Sequence, residues 1–437
     1  MSKASAKRVL IISYYWPPSG GSGVQRWLKF AKYLPEFDWE PIVVAPEGAD
    51  YPVADESLLK EVEDITVLRY PIWEPYSLYR KLTGAKPGEN FGVVPAKKQS
   101  LTKRFSTWIR ANFFVPDPRV FWVKPTTKGL VKYLKDNPVD VVITTGPPHS
   151  VHLIGKALKK RVKGLKWIMD VRDPWSQFDI HLSFNPGARA KRKNERLEQE
   201  CLTAADKVIG TAYSMPTHLM DFDTNKYQTI TNGYDASDFQ GLPSVKSKKD
   251  KFHIYHTGLL NAVRNPTAVW TALAKLVDAD AGFAERLKVF LIGNVATEVK
   301  ASIDALPQLK DKVTITPWMK HNELVQKYDD ADLFLLCPNQ SDNAKGQING
   351  KLFEYLAAGK PVLHIGPYDA DNTSILDDVH AGLTVPPGDV DGTEGALQRF
   401  IDGRFGESPH ALQREGVLKF ERKQVTKQLA TLLDSLR

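Results

Sequence analysis

Gly350-Lys351-Leu352-Phe353-Glu354-Tyr355-Leu356-Ala357-Ala358-Gly359-Lys360-Pro361-Val362-Leu363 reads as a short helix that runs straight into a buried strand. Leu352, Phe353, Leu356 and Ala357 fall at helical spacing, Gly359 suits the left-handed residue that ends a helix, and Pro361 cannot continue one. Glu354 is then a single carboxylate near a helix start, at the mouth of an α/β unit, where ligands of such folds bind. An isolated Glu is most often a solvated side chain on the polar face, so Glu354 needs support from elsewhere in the chain.

Outward from this stretch the same helix-strand alternation recurs. Apolar runs at Lys7 to Ser13, Pro41 to Ala45, Val139 to Thr144 and Trp167 to Val171 are separated by helix-like or loop segments. The pattern restarts with Phe252 to His256, Leu287 to Ile292, Val313 to Ile315, Leu333 to Cys337 and Val362 to Ile365. Strands alternating with helices predict parallel, doubly wound sheets, hence an α/β protein of two Rossmann-like domains. The Gly, Pro, Ser and Lys content of Gln240 to Lys251 marks an exposed connection. It divides the chain into an N-terminal domain at 1–243 and a C-terminal domain at 244–420, followed by a terminal helical stretch at 421–437.

The whole chain bounds the function. Its 437 residues are enough for two domains, and 42% hydrophobic with 25% charged residues is a soluble, globular balance. No apolar run approaches a membrane span, and Val9-Leu10-Ile11-Ile12 is too short for a signal-peptide core, so a cytoplasmic protein is expected. Two cysteines, Cys201 and Cys337, make neither a disulfide framework nor a metal cluster. A net charge of +8 favours an anionic partner, with nucleic acid, anionic lipid and a diphosphate all eligible. No zinc-finger, RRM or KH pattern supports nucleic acid, which is therefore not expected.

Six predicted strand ends carry candidate chemistry. Ser19-Gly20-Gly21-Ser22-Gly23, between a strand and a helix, is a plausible diphosphate cradle of backbone amides, and a structural turn is about as good a reading. It is not a dinucleotide fingerprint, because Arg26 stands where a third glycine is needed, and it lacks a Walker Lys-Ser/Thr pair. His149 follows the strand ending at Thr145, with Ser150 as a good helix N-cap. Arg172 and Asp173 follow the next strand, either as an ion pair fixing the loop, the preferred reading, or with Asp173 beside a substrate hydroxyl. In the second half Arg264 follows Thr257-Gly258-Leu259, where its fork of donors suits phosphate oxygens, against an exposed loop Arg. Asn294 and Trp318 end two further strands, and core packing of Trp318 is as good a reading as stacking on a base.

The helix, small residues, Gly-Lys-Pro and apolar strand around Glu354 resemble the donor-site signature of retaining glycosyltransferases of the GT-B fold, glycosyltransferase family 4 and its relatives. Thr231-Asn232-Gly233-Tyr234-Asp235 is similar to the segment that closes the first domain in GT-B enzymes. The resemblance implies two Rossmann-like domains facing an interdomain cleft, with Val425 to Leu436 packing back on the first. It implies a nucleotide-diphosphate-sugar donor, UDP- or GDP-linked, and a glycan or lipid-linked hydroxyl acceptor in bacterial polysaccharide or glycolipid synthesis. No metal or other cofactor is required by it, and the Asp-Ala-Asp runs at 278–280 and 369–371 are read as surface features.

By the same resemblance Glu354 accepts hydrogen bonds from the ribose hydroxyls, Arg264 holds the diphosphate and His149 contacts the transferred sugar near its reacting carbon. These three are the candidates for the catalytic roles. Gly20, Gly21, Gly258, Asn294, Trp318, Gly350, Lys351 and Leu352 would line the donor, and Arg172 and Asp173 the acceptor. The family's leaving phosphate is usually taken to deprotonate the acceptor on the same face. Two positions depart from the family: Gly346 stands where a second Glu approaches the sugar, and Leu259 where a loop Arg is common.

Rival readings are a GT-B-like nucleotide-sugar epimerase, which needs further carboxylates in the N-terminal domain, and a noncatalytic nucleotide-sugar-binding subunit. An NAD dehydrogenase is disfavoured by the absent glycine fingerprint. Lys97 to Phe114 interleaves basic and aromatic residues and suits an anionic membrane at the inner face of the plasma membrane. An ordinary helix with a basic outer face is the favoured reading of that segment.

Overall fold

Val9 to Ile12 and Leu333 to Leu336 are buried apolar runs at the centres of two parallel sheets. A parallel strand is covered on both faces and so lacks the alternation of a half-exposed one. The computed structural model describes residues 7–51, 53–74, 101–177, 184–240, 250–340, 344–403, 405 and 414–437. The chain divides into two units, Met1–Thr231 with Val425–Arg437, and Asn232–Gln424.

Unit 1 runs β1 (Lys7–Ser13), α1 (Ser22–Tyr33), β2 (Trp39–Glu47), β3 (Thr66–Pro71), α2 (Leu101–Phe113), α3 (Val123–Asp136), β4 (Val141–Gly146), α4 (Ser150–Arg161), β5 (Lys166–Val171), α5 (Ala188–Ala204), β6 (Lys207–Gly210) and β7 (Tyr227–Thr229). Its sheet order is β3-β2-β1-β4-β5-β6-β7, every pairing parallel. Val24, Trp27, Leu28 and Ala31 of α1 cover one face with Val9, Ile11, Val43, Val141 and Ile143.

Unit 2 runs β8 (Phe252–Leu260), α6 (Thr267–Ala279), α7 (Ala281–Arg286), β9 (Leu287–Val295), α8 (Thr297–Asp304), β10 (Val313–Thr316), α9 (His321–Lys327), β11 (Leu333–Leu336), α10 (Gly350–Ala357), β12 (Val362–Ile365), α11 (Asp371–Asp378), β13 (Gly382–Val385), α12 (Val390–Ile401) and α13 (Arg414–Leu418). Its sheet is β10-β9-β8-β11-β12-β13, again parallel. Leu333 and Leu335 face the core under α6, whereas Phe334 and Leu336 face that under α10, the period-two alternation of a strand with two buried faces.

A last helix, α14 (Arg422–Asp434), returns the chain, and its Val425, Leu429 and Leu433 join the unit 1 core. The sequence places the first boundary at 243, whereas the units divide after Thr231. Tyr234 is the reason: it packs with the unit 2 core and exchanges backbone hydrogen bonds with Phe420 and Arg422 at 3.1 and 2.8 Å. Most of the expected connection, 241–249, lies outside the described residues.

His152, His256 and His364 are buried deeply enough to shift their titration. Burial pushes His152 down to about 3, and His256 and His364 each down to about 4. In the unfolded chain each ring takes up a proton near pH 6.5, whereas the folded state keeps it neutral. Stability is therefore full above that pH and falls as pH drops toward 4, by up to ~1.4 kcal/mol per pH unit for each histidine. Urea unfolding at pH 7 and pH 5 should show this slope, and His364→Asn should reduce it. An unchanged slope in that variant would count against the assignment to His364.

Candidate functional site

In each sheet the chain reverses its winding direction once, between β1 and β4 in unit 1 and between β8 and β11 in unit 2. The loops leaving the carboxyl ends of such strand pairs diverge and leave a crevice. Of the candidates, the Gly20-Gly21 and His149 loops leave β1 and β4, and the Arg264 loop leaves β8, whereas Asn294 lies at the end of β9 and Trp318, Arg172 and Asp173 follow β10 and β5.

In unit 2, Arg264 lies on the loop after β8 and is half-buried. Its Nε donates to Asn339 Oδ1 at 2.6 Å and its Nη1 to the Leu259 carbonyl at 3.4 Å. Asn339 follows β11, so this bond ties together the two loops of the switch point, and Gln340 N donates to Val263 O at 2.9 Å beside it. Burial lowers the Arg264 guanidinium from its ordinary value. Asn294 is exposed and sits in register with Leu259, because β8 and β9 stay paired past Gly258 and Gly293. Gly293, at φ 133°, cannot carry a side chain, since a Cβ would meet the Gly258 carbonyl oxygen at 2.2 Å. Leu259, standing where the resembling family has a loop Arg, is an exposed apolar side chain.

Glu354 is not a merely solvated side chain. It is 19% exposed, and its Oε2 accepts from Lys351 Nζ at 2.7 Å and Tyr328 Oη at 2.8 Å. Both bonds arrive at Oε2, which leaves Oε1 as the acceptor open to a ligand. Helix α10 ends as its sequence requires, with Gly359 at φ 70°. Its first turn follows a loop held by Asn372, whose Nδ2 donates to Gln347 O at 2.8 Å and whose Oδ1 accepts from Asn349 N at 3.3 Å.

Gly346, at the position of the family's second Glu, closes a 3-10 turn just before this loop. Leu352 does not line an opening: its side chain is fully buried in the core and its amide donates to Asn349 O at 3.0 Å. An apolar residue on the inner face of an amphipathic helix has no other place to go. Trp318, after the edge strand β10, is 78% exposed, which removes core packing as its explanation.

In unit 1 the glycine loop leads into α1, where Gly21 is exposed at φ 84° and no acidic residue stands in the first turn. Gly20 is not a free donor, because its amide is committed to Val53 O at 2.8 Å. The β4–α4 loop brings His149 to the N-cap position, its ring stacked on Trp175 at 5.2 Å and 7°. Ser150 is therefore the first helical residue rather than the cap. Asp117 serves that helix end from a distance, accepting from Ser150 N at 2.9 Å and Ser150 Oγ at 2.8 Å. Strand β4 ends in glycine because a Cβ at 146 would meet His152 Nε2 at 2.5 Å and His149 Nδ1 at 3.0 Å.

Arg172 and Asp173 do not pair. The Arg172 guanidinium is spent on backbone carbonyls: Nε to Gly146 at 3.1 Å, Nη1 to Gly23 at 2.7 Å and Nη2 to Pro147 at 2.8 Å. It fixes the loop that carries His149 against the start of α1. Asp173 is half-buried and has no hydrogen-bond partner among the described residues. Burial raises its carboxyl above the ordinary range, the Asp170 charge adds to this, and Arg172 opposes it.

Sequence reasoning missed Asn339, Tyr328 and Asp117. Each acts across tens of residues, and only Asp117, beside Pro118, carries a local capping signal. Among the described residues no group of three or more His, Cys, Asp or Glu is placed to hold a metal ion.

No curated protein matches the chain. Solved structures match it along nearly its whole length at low identity. A sucrose-phosphate synthase from Thermosynechococcus elongatus is 16% identical with a TM-score of 0.61, covering 98% of this chain and 99% of that one. HepE of Anabaena in complex with UDP-glucose is 15% identical with a TM-score of 0.61, covering 98% and 99%. The N-terminal domain of a trehalose-6-phosphate phosphatase from Candida albicans is 14% identical with a TM-score of 0.65, covering 100% and 98%. Two Rossmann-like units with these likenesses show the GT-B fold, and residues 251–402, within unit 2, match the family described as Glycosyl transferases group 1.

Proposed function

We propose that this protein is a glycosyltransferase that moves a sugar from a nucleotide-diphosphate-sugar to a hydroxyl acceptor with retention of configuration, in cell-surface polysaccharide or glycolipid synthesis. The carrying observation is the pair of opposite charges presented by unit 2. Arg264 is fixed through Nε and Nη1, leaving Nη2 for a phosphate oxygen, and Glu354 is fixed through Oε2, leaving Oε1 for the ribose hydroxyls. A UDP-linked donor is the first to test, since HepE is a structure in complex with UDP-glucose, and a GDP-linked donor the second.

In this reading the acceptor oxygen bonds to the anomeric carbon as the bond from that carbon to the β-phosphate oxygen breaks. The acceptor proton passes to the leaving phosphate on the same face. Arg264 opposes the charge that develops on the diphosphate, aided by the amides at Gly350 and Lys351 that open α10. Trp318 is a platform for the base, with Gly258 and Asn294 beside the phosphates. In unit 1 Gly21, at the start of α1, lines the donor and His149, stacked on Trp175, contacts the transferred sugar, while Arg172 holds the His149 loop and Asp173 meets the acceptor hydroxyl.

A donor that binds the folded state must raise its melting temperature. At a hundredfold excess over Kd the gain is ~2.7 kcal/mol, a shift of roughly 5–10 °C for a domain of this size. The measurement is a thermal-shift screen of UDP- and GDP-sugars, followed by assays of transfer and donor hydrolysis. Indifference to every nucleotide-sugar would sink the reading. Gly346, lacking the carboxylate that resembling enzymes use near the sugar, favours a second reading as a noncatalytic nucleotide-sugar-binding subunit. Binding without turnover across a broad acceptor screen would select it.

The lipid-linked form of the acceptor is supported by the outer surface of unit 1. Trp108 and Phe113 at the end of α2 are 48% and 67% exposed and lie 5.7 Å apart. Asn112 Oδ1 accepts from Gly187 N at 2.9 Å, which sets this aromatic end against the start of α5 with its exposed Arg189, Lys191, Arg192 and Lys193. Of the segment read as membrane-facing, 97–100 lies outside the described residues. Among the described residues no helix is long and apolar enough to cross a membrane. Co-sedimentation with vesicles containing phosphatidylglycerol at low salt is expected, with loss on Trp108→Ser/Phe113→Ser and in 0.5 M salt, where the Debye length shrinks to roughly 4 Å. Equal binding to neutral vesicles would contradict the electrostatic part, and no binding at all would remove the membrane contact.

A further inference from the structure

Tyr328 follows α9 and is fully buried, yet its hydroxyl is the direct partner of Glu354 Oε2 at 2.8 Å. The same hydroxyl lies 3.2 Å from Thr257 Oγ1 on β8, which lies 3.0 Å from Tyr355 Oη on α10, and Tyr355 Oη accepts from the Thr257 amide at 3.0 Å. The ladder between β8 and β11 ends at Tyr255, so Tyr355 takes up a strand amide beyond the paired region. Three rings hold the arrangement: Phe334 stacks on Tyr355 at 4.0 Å and 2°, and meets Tyr328 edge-on at 5.0 Å.

The direction of every hydrogen in this chain is fixed. Each hydroxyl has one proton to give. Tyr328 gives its proton to Glu354, so Thr257 must donate to Tyr328; Thr257 has then spent its own, so Tyr355 must donate to Thr257. Tyr355 in turn accepts from the Thr257 amide, which can only donate. All four dipoles therefore point at the Glu354 carboxylate, and such chains strengthen each member. Lys351 Nζ, 3.4 Å from Tyr328 Oη and 2.7 Å from Glu354 Oε2, adds its donors to the same end.

We propose that Tyr328, polarised through Thr257 and Tyr355, is a positioning residue that locks Glu354 with Oε1 turned to the donor's ribose, so that recognition of the ribose hydroxyls is set from β8. The proposal rests on the donor reading of Glu354. It couples that carboxylate to Thr257 near the end of β8, the strand from which the Arg264 loop departs. Tyr328 touches no substrate in this scheme and acts only through Glu354.

The test is calorimetric binding of UDP and of 2′,3′-dideoxy-UDP to the full-length protein, with GDP and its dideoxy form as a second pair. Wild type should prefer the ribose-bearing nucleotide. Tyr328→Phe should lower that preference roughly tenfold while leaving dideoxy-UDP binding and the circular dichroism spectrum unchanged. Thr257→Val should lower it by a smaller factor, and Thr257→Ser should retain it. A Tyr328→Phe protein with the wild-type preference would overturn the proposal, as would equal loss of both nucleotides, which marks general damage. If wild type prefers the ribose form and Glu354→Gln abolishes that preference, the donor reading stands whatever Tyr328→Phe does. Binding of neither UDP nor GDP to wild type would overturn the donor reading, and the role of Tyr328 with it.

Discussion

Arg264→Ala is expected to lower kcat/KM for sugar transfer by about 10²–10³, the usual effect of removing one preorganised donor aimed at developing charge. The fold spends two of the guanidinium nitrogens, on Asn339 and on the Leu259 carbonyl, so the third is delivered in a fixed direction rather than on a free side chain. That preorganisation separates a transition-state donor from a surface cation that merely raises the local concentration of anions. Arg264→Lys should recover little, because an ammonium cannot hold Asn339 and a phosphate oxygen with the geometry of a planar fork.

Asn339→Ala leaves the charge but frees Nε, and a loss of roughly tenfold is expected, mostly in kcat, since the looser side chain can still meet the ground-state diphosphate. Steady-state kinetics with the donor identified by thermal shift, and circular dichroism as the check on folding, decide the matter. Activity within threefold of wild type for Arg264→Ala would remove Arg264 from the site.

The same residues show what the amino-acid order makes legible. Val9 to Ile12 and Leu333 to Leu336 are readable because a parallel strand buried on both faces is a continuous apolar run. Strands β3, β6, β7 and β13 escaped the reading. Each is short or lies at or next to a sheet edge, and β3 has no buried residue, so its hydrophobic signal is weak. Helix α10 was readable from its stop signal at Gly359. Its carboxylate was placed, but the Tyr328 that holds it is set by tertiary packing and has no local mark. Arg172 illustrates the limit from the other side: a neighbouring Asp suggests an ion pair, yet the backbone carbonyls of Gly23, Gly146 and Pro147, brought together only by the fold, take the guanidinium instead. Arg26 was visible only as the residue that spoils a glycine motif, and its actual role lies in the core.

Asp170→Ala is expected to destabilise unit 1 by about 3–5 kcal/mol, a large share of a domain's total stability. Asp170, fully buried on β5, accepts from Arg26 Nη2 at 3.1 Å, Trp27 Nε1 at 2.6 Å and Thr145 Oγ1 at 2.7 Å. Arg26 is buried with it, and its Nη1 donates to Thr231 O at 2.8 Å. Removing the carboxylate strands a guanidinium, an indole N–H and a hydroxyl away from water, and the buried cation is the largest part of the loss. The expected fall in melting temperature is roughly 10 °C or more. Arg26→Met on the same background removes the stranded charge and should recover part of the loss, so the double variant is the informative one if Asp170→Ala alone does not fold. The consequence reaches the site as well, because Asp170 anchors α1, whose first turn opens at Gly21, and immediately precedes the segment that carries Arg172 and Asp173. Thermal and urea melts of the three proteins provide the measurement. Asp170→Ala within about 1 kcal/mol of wild type would show that water reaches this pair, and that the start of α1 is held by its apolar face alone.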